Sequence, residues 1–221
     1  NNFTDDSKDY LQGIFDTILN KDIARRLNIA DTVSLENVTK FLLHSIGNKI
    51  SPTKIANTLK SAGKSVDQKT VDKYIKGLVD SMLIYEAGIY NIKGKQFLST
   101  QSKYYVVDVG MRNALVKSSE SDIGHILENI VYLELKRRYK NVYVGEIDSG
   151  EVDFVSVNDN KYEYYQVSAT TLDENTLKRE LAPFGKIKDN YPKYLLTLDD
   201  VFSNADYNGV QKINVLEWLL K

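Results

Sequence analysis

Apolar residues recur at Leu11, Ile14, Phe15, Ile18, Leu19, Ile23 and Leu27. This alternating three- and four-residue spacing predicts an amphipathic helix within 10–30. The same spacing returns over 34–46, where Ser34 is the expected N-cap and Asn37 follows three residues on. Ser51-Pro52-Thr53 opens a third, short helix that runs to Ser61, because proline at the first helical position loses only an N–H that would lack a partner anyway. Gly63 ends it. Asp67 is the next N-cap, leading a helix through Val71, Tyr74, Ile75, Leu78 and Val79. Beyond Ser81 the period falls to two. Leu83-Ile84-Tyr85, a turn at Glu86-Ala87-Gly88, and Ile89–Ile92 predict a hairpin.

The second half reads differently. Tyr104–Val107 has strand character, and a helix is expected from Ile123 to Tyr139. Strands follow at Val142–Val144, Glu151–Val157 and Tyr162–Val167, with turns at Asp148-Ser149-Gly150 and Asn158-Asp159-Asn160. Thr171 and Glu174 have the spacing of a capping box for a helix toward Leu181, which Pro183 interrupts. Tyr194–Leu198 and Ile213–Val215 are the last strands, and Leu216–Leu220 closes the chain's pattern. The order αβββαβ predicts a mixed sheet flanked by helices, of the α+β or α/β class. Two domains are expected: a helical one over 1–100, whose helix, short helix, longer helix, hairpin order is that of a winged helix, and an α/β one over 101–221.

Composition narrows the chemistry. With 221 residues, 42% hydrophobic and 27% charged, the chain can bury ordinary cores. No apolar run approaches the roughly 18 residues of a membrane span, and the polar start does not read as a signal peptide, so no membrane partner is expected. The absence of cysteine excludes disulfides and thiolate metal sites and suits a cytoplasmic location. A metal would need carboxylates, amides or one of two histidines.

The net charge of −1 conceals seven lysines within residues 49–76, set against Asp67 and Asp72. Lys54, Lys60, Lys64, Lys69, Lys73 and Lys76 would grip phosphate, and Gln68 is the one side chain suited to reading a base edge. DNA is one partner such a face would take, and another protein packed on the module is the alternative. Ala62-Gly63-Lys64-Ser65 imitates the end of a phosphate-binding loop, but Thr58 stands where the first glycine belongs and no buried strand leads into it. ATP binding by this chain is therefore not expected.

Gly150-Glu151-Val152-Asp153-Phe154-Val155 carries the most chemistry. Strict alternation puts Glu151 and Asp153 on one face of a strand and Val152 and Phe154 on the other. Adjacent carboxylates repel unless a cation lies between them, and Mg²⁺ is the cation such oxygens favour. The following strand would set Gln166 beside Asp153. On the helix before them, Glu128 lies at the edge of the apolar face, with Gly124 one turn back.

These residues, Gly124-x-x-x-Glu128-Asn129 with Glu134-Leu135, Gly150-Glu151-Val152-Asp153-Phe154, Tyr165-Gln166-Val167-Ser168, Arg179-Glu180 and Tyr191-Pro192-Lys193, together resemble the C-terminal region of a family of prokaryotic AAA-type ATPases. That family joins a P-loop ATPase core to a winged-helix-like segment and a terminal domain of unknown function, which is similar to the PD-(D/E)XK (restriction-endonuclease-like) nuclease fold. The resemblance covers residues 10–221 and is strongest over 104–200. It implies that ATP and Mg²⁺ are handled in an N-terminal domain outside this chain, and that this ATPase domain is itself a partner. By position, Glu128 and Asp153 match the metal-binding acids, with Mg²⁺ as the implied ion, and Gln166 matches the next acidic or amide place. Ser168 stands where an active site has lysine, which implies a degenerate catalytic centre. A metal-dependent DNA nuclease and a winged-helix DNA-binding regulator are the alternatives.

Overall fold

The computed structural model describes residues 5–117, 122–148, 150–159 and 161–221. Ser149 and Asn160, at two of the expected turns, lie outside these residues, as do Asn1–Thr4. The chain is a mixed α/β protein that divides into two compact units, Asn1–Glu86 with Gln101–Ser119, and Ala87–Thr100 with Glu120–Lys221.

In the first unit, α1 (Asp5–Thr17) runs into a π-helical segment, Ile18–Ala24, and is followed by α2 (Thr32–His44), α3 (Pro52–Ser61) and α4 (Gln68–Asp80). Their apolar stripes meet in one core: Phe15, Leu19 and Ile23 with Leu35, Val38 and Leu42 of α2, Ile55 and Leu59 of α3, and Val71, Ile75 and Leu78 of α4. Ser51 and Asp67 cap α3 and α4 as expected, accepting from the Lys54 and Thr70 N–H groups at 3.2 and 3.0 Å. The cap of α2 is Asp31, three residues before Ser34, whose own N–H donates to the Asp31 carboxylate at 2.9 Å. Hydrogen bonds from Ser34 hold that carboxylate below its usual pKa.

The hairpin is longer than its sequence suggests. β1 (Ile84–Asn91) continues through Glu86-Ala87-Gly88, and the turn lies at 92–95 before β2 (Gln96–Val106). Ala87 is fully buried and Gly88 keeps an extended φ, so side-chain burial overrides the turn propensity of a lone glycine. These strands are why no single cut near residue 100 divides the chain. Ile50 bridges Ser102, and the Gly47 N–H donates to the Tyr104 carbonyl, holding the far part of β2 to the first unit. Ile89–Asn91 instead pairs in parallel with 144–146 of the second. A short helix missed by periodicity, α5 (Val109–Leu115), follows, capped by Asp108.

In the second unit α6 (Ile123–Arg138) precedes β3 (Val142–Ile147), β4 (Gly150–Asn158) and β5 (Lys161–Ser168). Next come α7 (Glu174–Leu181), a 3₁₀ turn at Phe184–Lys186, β6 (Lys193–Thr197), β7 (Asp206–Tyr207), β8 (Val210–Asn214) and α8 (Val215–Leu219). The sheet order is β2-β1-β3-β4-β5-β6-β8-β7. Strands β3, β4 and β5 are antiparallel, while β5, β6 and β8 are parallel. Strict alternation fails in β4. Between Tyr143↔Val155 and Gly145↔Val152, β3 advances two residues and β4 three, which is a bulge. Val152 and Val155 therefore join one core with Ile147, Tyr164 and Leu195, while Phe154 turns to the other side and packs on Tyr132 of α6 at 5.5 Å.

Thr171 does not cap α7. Asp173 does, and Thr171 instead donates its N–H and hydroxyl to Asp199 at 2.8 and 3.0 Å. Lys212 adds a third donor to the same Asp199 oxygen at 2.9 Å, and both charged groups are buried.

Candidate functional site

At Phe154↔Tyr165 the β4–β5 ladder stops, just short of the residues marked as chemically interesting. Side chains replace the next backbone bonds. The Asp153 N–H donates to Gln166 Oε1 at 3.3 Å, and the Val167 N–H donates to Asp153 Oδ2 at 2.9 Å. Beyond that point a cleft of about 520 Å³ lies between α6, the ends of β4 and β5, and α7. Glu128, Asp153, Gln166 and Ser168 all line it. Gly124 and His125 of α6 line it too, and a Cβ at Gly124 would meet nothing within 4 Å. Glu151 does not contribute.

Glu180 joins the site from α7 and, like Glu128 and Asp153, is at least nine-tenths buried. Gln166 Nε2 donates to Glu180 Oε2 at 2.8 Å, and Arg179 donates to Glu180 Oε1 through Nε at 3.1 Å and Nη2 at 2.8 Å. Gln166 is thus a clamp with both ends engaged. A glutamate at 166 could serve only the Asp153 N–H and would face Glu180 with like charge. The amide is dictated locally. Spacing does mark Glu180: it follows Leu177 by three residues and precedes Leu181, both packed on the sheet core, so a carboxylate there has to find partners. Ser168 Oγ donates to the Thr170 carbonyl at 2.9 Å and serves the turn after β5. Of the nearby cations, Lys161 lies at the far end of β5 opposite Asn158, Lys178 pairs with Glu174 on the exposed side of α7, and Arg179 lies in the cleft.

This donor set fits Mg²⁺ poorly. Asp153 Oδ2 and both polar ends of Gln166 already hold protein groups, and among the described residues no three His, Asp or Glu side chains are grouped to hold a metal ion.

In the first unit, Lys54, Lys60, Lys64, Lys69, Lys73 and Lys76 are all exposed on or just after α3 and α4. Lys64 donates to Asn37 at 2.7 Å, and the Gln68 Oε1 accepts from Thr53 at 2.9 Å. The loop-like Ala62–Ser65 is the stop of α3. Gly63 N–H meets the Lys60 carbonyl and Lys64 N–H the Leu59 carbonyl, a Schellman motif with Gly63 at φ +76°. Changing Gly63 to alanine should cost about 1 kcal/mol, purely as backbone strain, since a Cβ there meets nothing within 4 Å. Urea denaturation checks this, and an unchanged midpoint would remove the strain account.

No helix of the described residues is long and apolar enough to cross a membrane. A protein of Haemophilus influenzae is 39% identical over 211 residues, which are 96% of this chain and 52% of that one. Protein MJ1544 of Methanocaldococcus jannaschii is 34% identical over 216 residues, 94% of this chain and 45% of its own. Both bear the name "uncharacterized protein", and this chain spans about half the length of either. A crystal structure of protein VC1899 from Vibrio cholerae covers 94% of this chain and 53% of its own at 10% identity, but with a TM-score of 0.28 the likeness carries no argument. The family described as "Domain of unknown function (DUF8612)" matches residues 1–122, more than half of the sequence, and the chain belongs to that family.

Proposed function

We propose that the chain is a C-terminal interaction and regulatory module of an AAA-type ATPase, associated with nucleic acid, whose second unit keeps a nuclease-like scaffold without a working catalytic centre. The observation that carries this reading is the cleft. Glu128, Asp153 and Gln166 line it as the nuclease pattern would place them, while Ser168 turns back to Thr170 and brings no cation. The helix, helix, helix, hairpin order of α2, α3, α4, β1 and β2 supports the winged-helix part, and relatives about twice as long leave room for an ATPase core. The Schellman turn at Gly63 supports placing ATP binding elsewhere than in this chain.

The second reading, a metal-dependent nuclease, is favoured by one feature, the Arg179 guanidinium in the cleft. Its hold on Glu180 would have to break for it to meet a scissile phosphate. Incubation with supercoiled and linear DNA plus Mg²⁺ or Mn²⁺ separates the two. The expected outcome is intact DNA. Cleavage that vanishes in both Asp153→Ala and Arg179→Ala would establish the enzyme and sink the regulatory reading of the cleft.

A further inference from the structure

Separate from the cleft, the second unit holds another groove of about 520 Å³. Its floor is apolar: Ile92, Ile147 and Ile187, all buried. Lys93, Lys186 and Lys188 surround it. Lys93 has only a loose, exposed pairing with Asp148 at 3.4 Å, and among the described residues neither Lys186 nor Lys188 has an ion-pair partner. The remaining polar walls are Asp148 and Asp189. Asp189 is a fixed acceptor, held by the Tyr164 hydroxyl at 2.7 Å and the Tyr191 N–H at 3.2 Å. The groove and the cleft are walled by one continuous piece of chain. Arg179 and Glu180 of α7 face the cleft, and Gly185–Asp189, in and after the 3₁₀ turn, faces the groove.

The chemistry of the lining selects its occupant. The volume is that of a small-ligand site. An aliphatic floor takes a flat apolar face. Exposed ammonium groups at the rim take phosphates as point charges. Carboxylates in the wall would repel a simple polyanion and gain nothing from a fatty chain, but they accept from the amino groups of a nucleobase. A nucleotide offers all three features at once, and in a single strand its base face is not hidden in a duplex stack.

We propose that this groove binds one nucleotide of a single-stranded nucleic acid, the base against Ile92, Ile147 and Ile187 and the flanking phosphates on Lys93, Lys186 and Lys188. This rests on reading the second unit as nucleic-acid-associated, and it makes that unit, rather than the lysine face of α3 and α4, the stronger single-strand contact.

The test is fluorescence anisotropy of a labelled single-stranded DNA 12-mer with the full chain, in EDTA, at two salt concentrations. Lys186→Ala/Lys188→Ala, both exposed changes, should weaken binding about tenfold and reduce the salt slope by about 1.4. Lys69→Ala/Lys73→Ala should weaken binding less than Lys186→Ala/Lys188→Ala does. An abasic oligonucleotide of equal length keeps the phosphates and should bind more weakly. Affinity unchanged in Lys186→Ala/Lys188→Ala, abasic binding equal to that of the normal strand, or no binding by the wild-type chain would each overturn the proposal. Failure of the inactive-cleft reading looks different, because it requires divalent metal and produces cut DNA, and neither enters a binding measurement in EDTA.

Discussion

Replacing Lys212 with methionine should destabilise the chain by about 3–5 kcal/mol, because it leaves the buried Asp199 carboxylate without its counter-charge. On a chain of this size that is a fall in melting temperature of roughly 10 °C. The loss comes from the orphaned charge more than from the missing ammonium, so Lys212→Met/Asp199→Leu should recover most of it. A double variant as unstable as the single would refute that explanation. The same site sets an acid limb. Burial alone would raise the Asp199 pKa, but hydrogen bonds from Thr170, the Thr171 backbone and Lys212 outweigh it and hold the group well below the ordinary carboxylate range. A carboxyl depressed in the folded state stabilises at pH above its unfolded value, near 3.9, and that contribution disappears as pH falls through the folded value. Wild type should therefore lose stability below about pH 4 more steeply than Asp199→Asn.

Phe154→Ala should cost about 3–5 kcal/mol. The ring is fully buried and is the β4 side chain that meets Tyr132 of α6. Its loss leaves a void between helix and sheet, where the ring packs on Tyr132. Phe202→Ala, at 69% exposed, is the control and should change the denaturation midpoint little. If the two variants melt together, the packing attributed to the bulge is absent.

The helices of the first unit are legible because each has an apolar stripe, and α3 and α4 also have Ser51 and Asp67 at the start. Asp31 was passed over because Ser34, three residues on, has the same cap chemistry, and a carboxylate accepts the more strongly of the two. The extension of β1 through Gly88 was not legible, because the burial that decides it comes from residues distant in sequence. The bulge in β4 is invisible to a period of two for the same reason. For the cleft, the residue types and their order sufficed to bring Glu128, Asp153 and Gln166 to one place. Glu180 entered that reading only as part of a resemblance, since its bond to Gln166 spans fourteen residues. The lysine groove had no sequence signature, because its three cations come from a hairpin turn and a 3₁₀ turn far apart in the chain.

The hairpin of β1 and β2 sets an order on synthesis. The first unit is made of Asn1–Glu86 and Gln101–Ser119, with Ala87–Thr100 belonging to the second. As the chain leaves the ribosome, the first unit cannot close until a segment destined for the other has already emerged. The end of β1 must then wait for β3 at Val142–Ile147 to appear. For that interval an unpaired strand edge projects from a half-finished protein, which is the condition under which nascent chains pair wrongly or recruit chaperones. Neither unit is a contiguous piece of message, so a cut anywhere between the codons for Ala87 and Thr100 would leave two incomplete units.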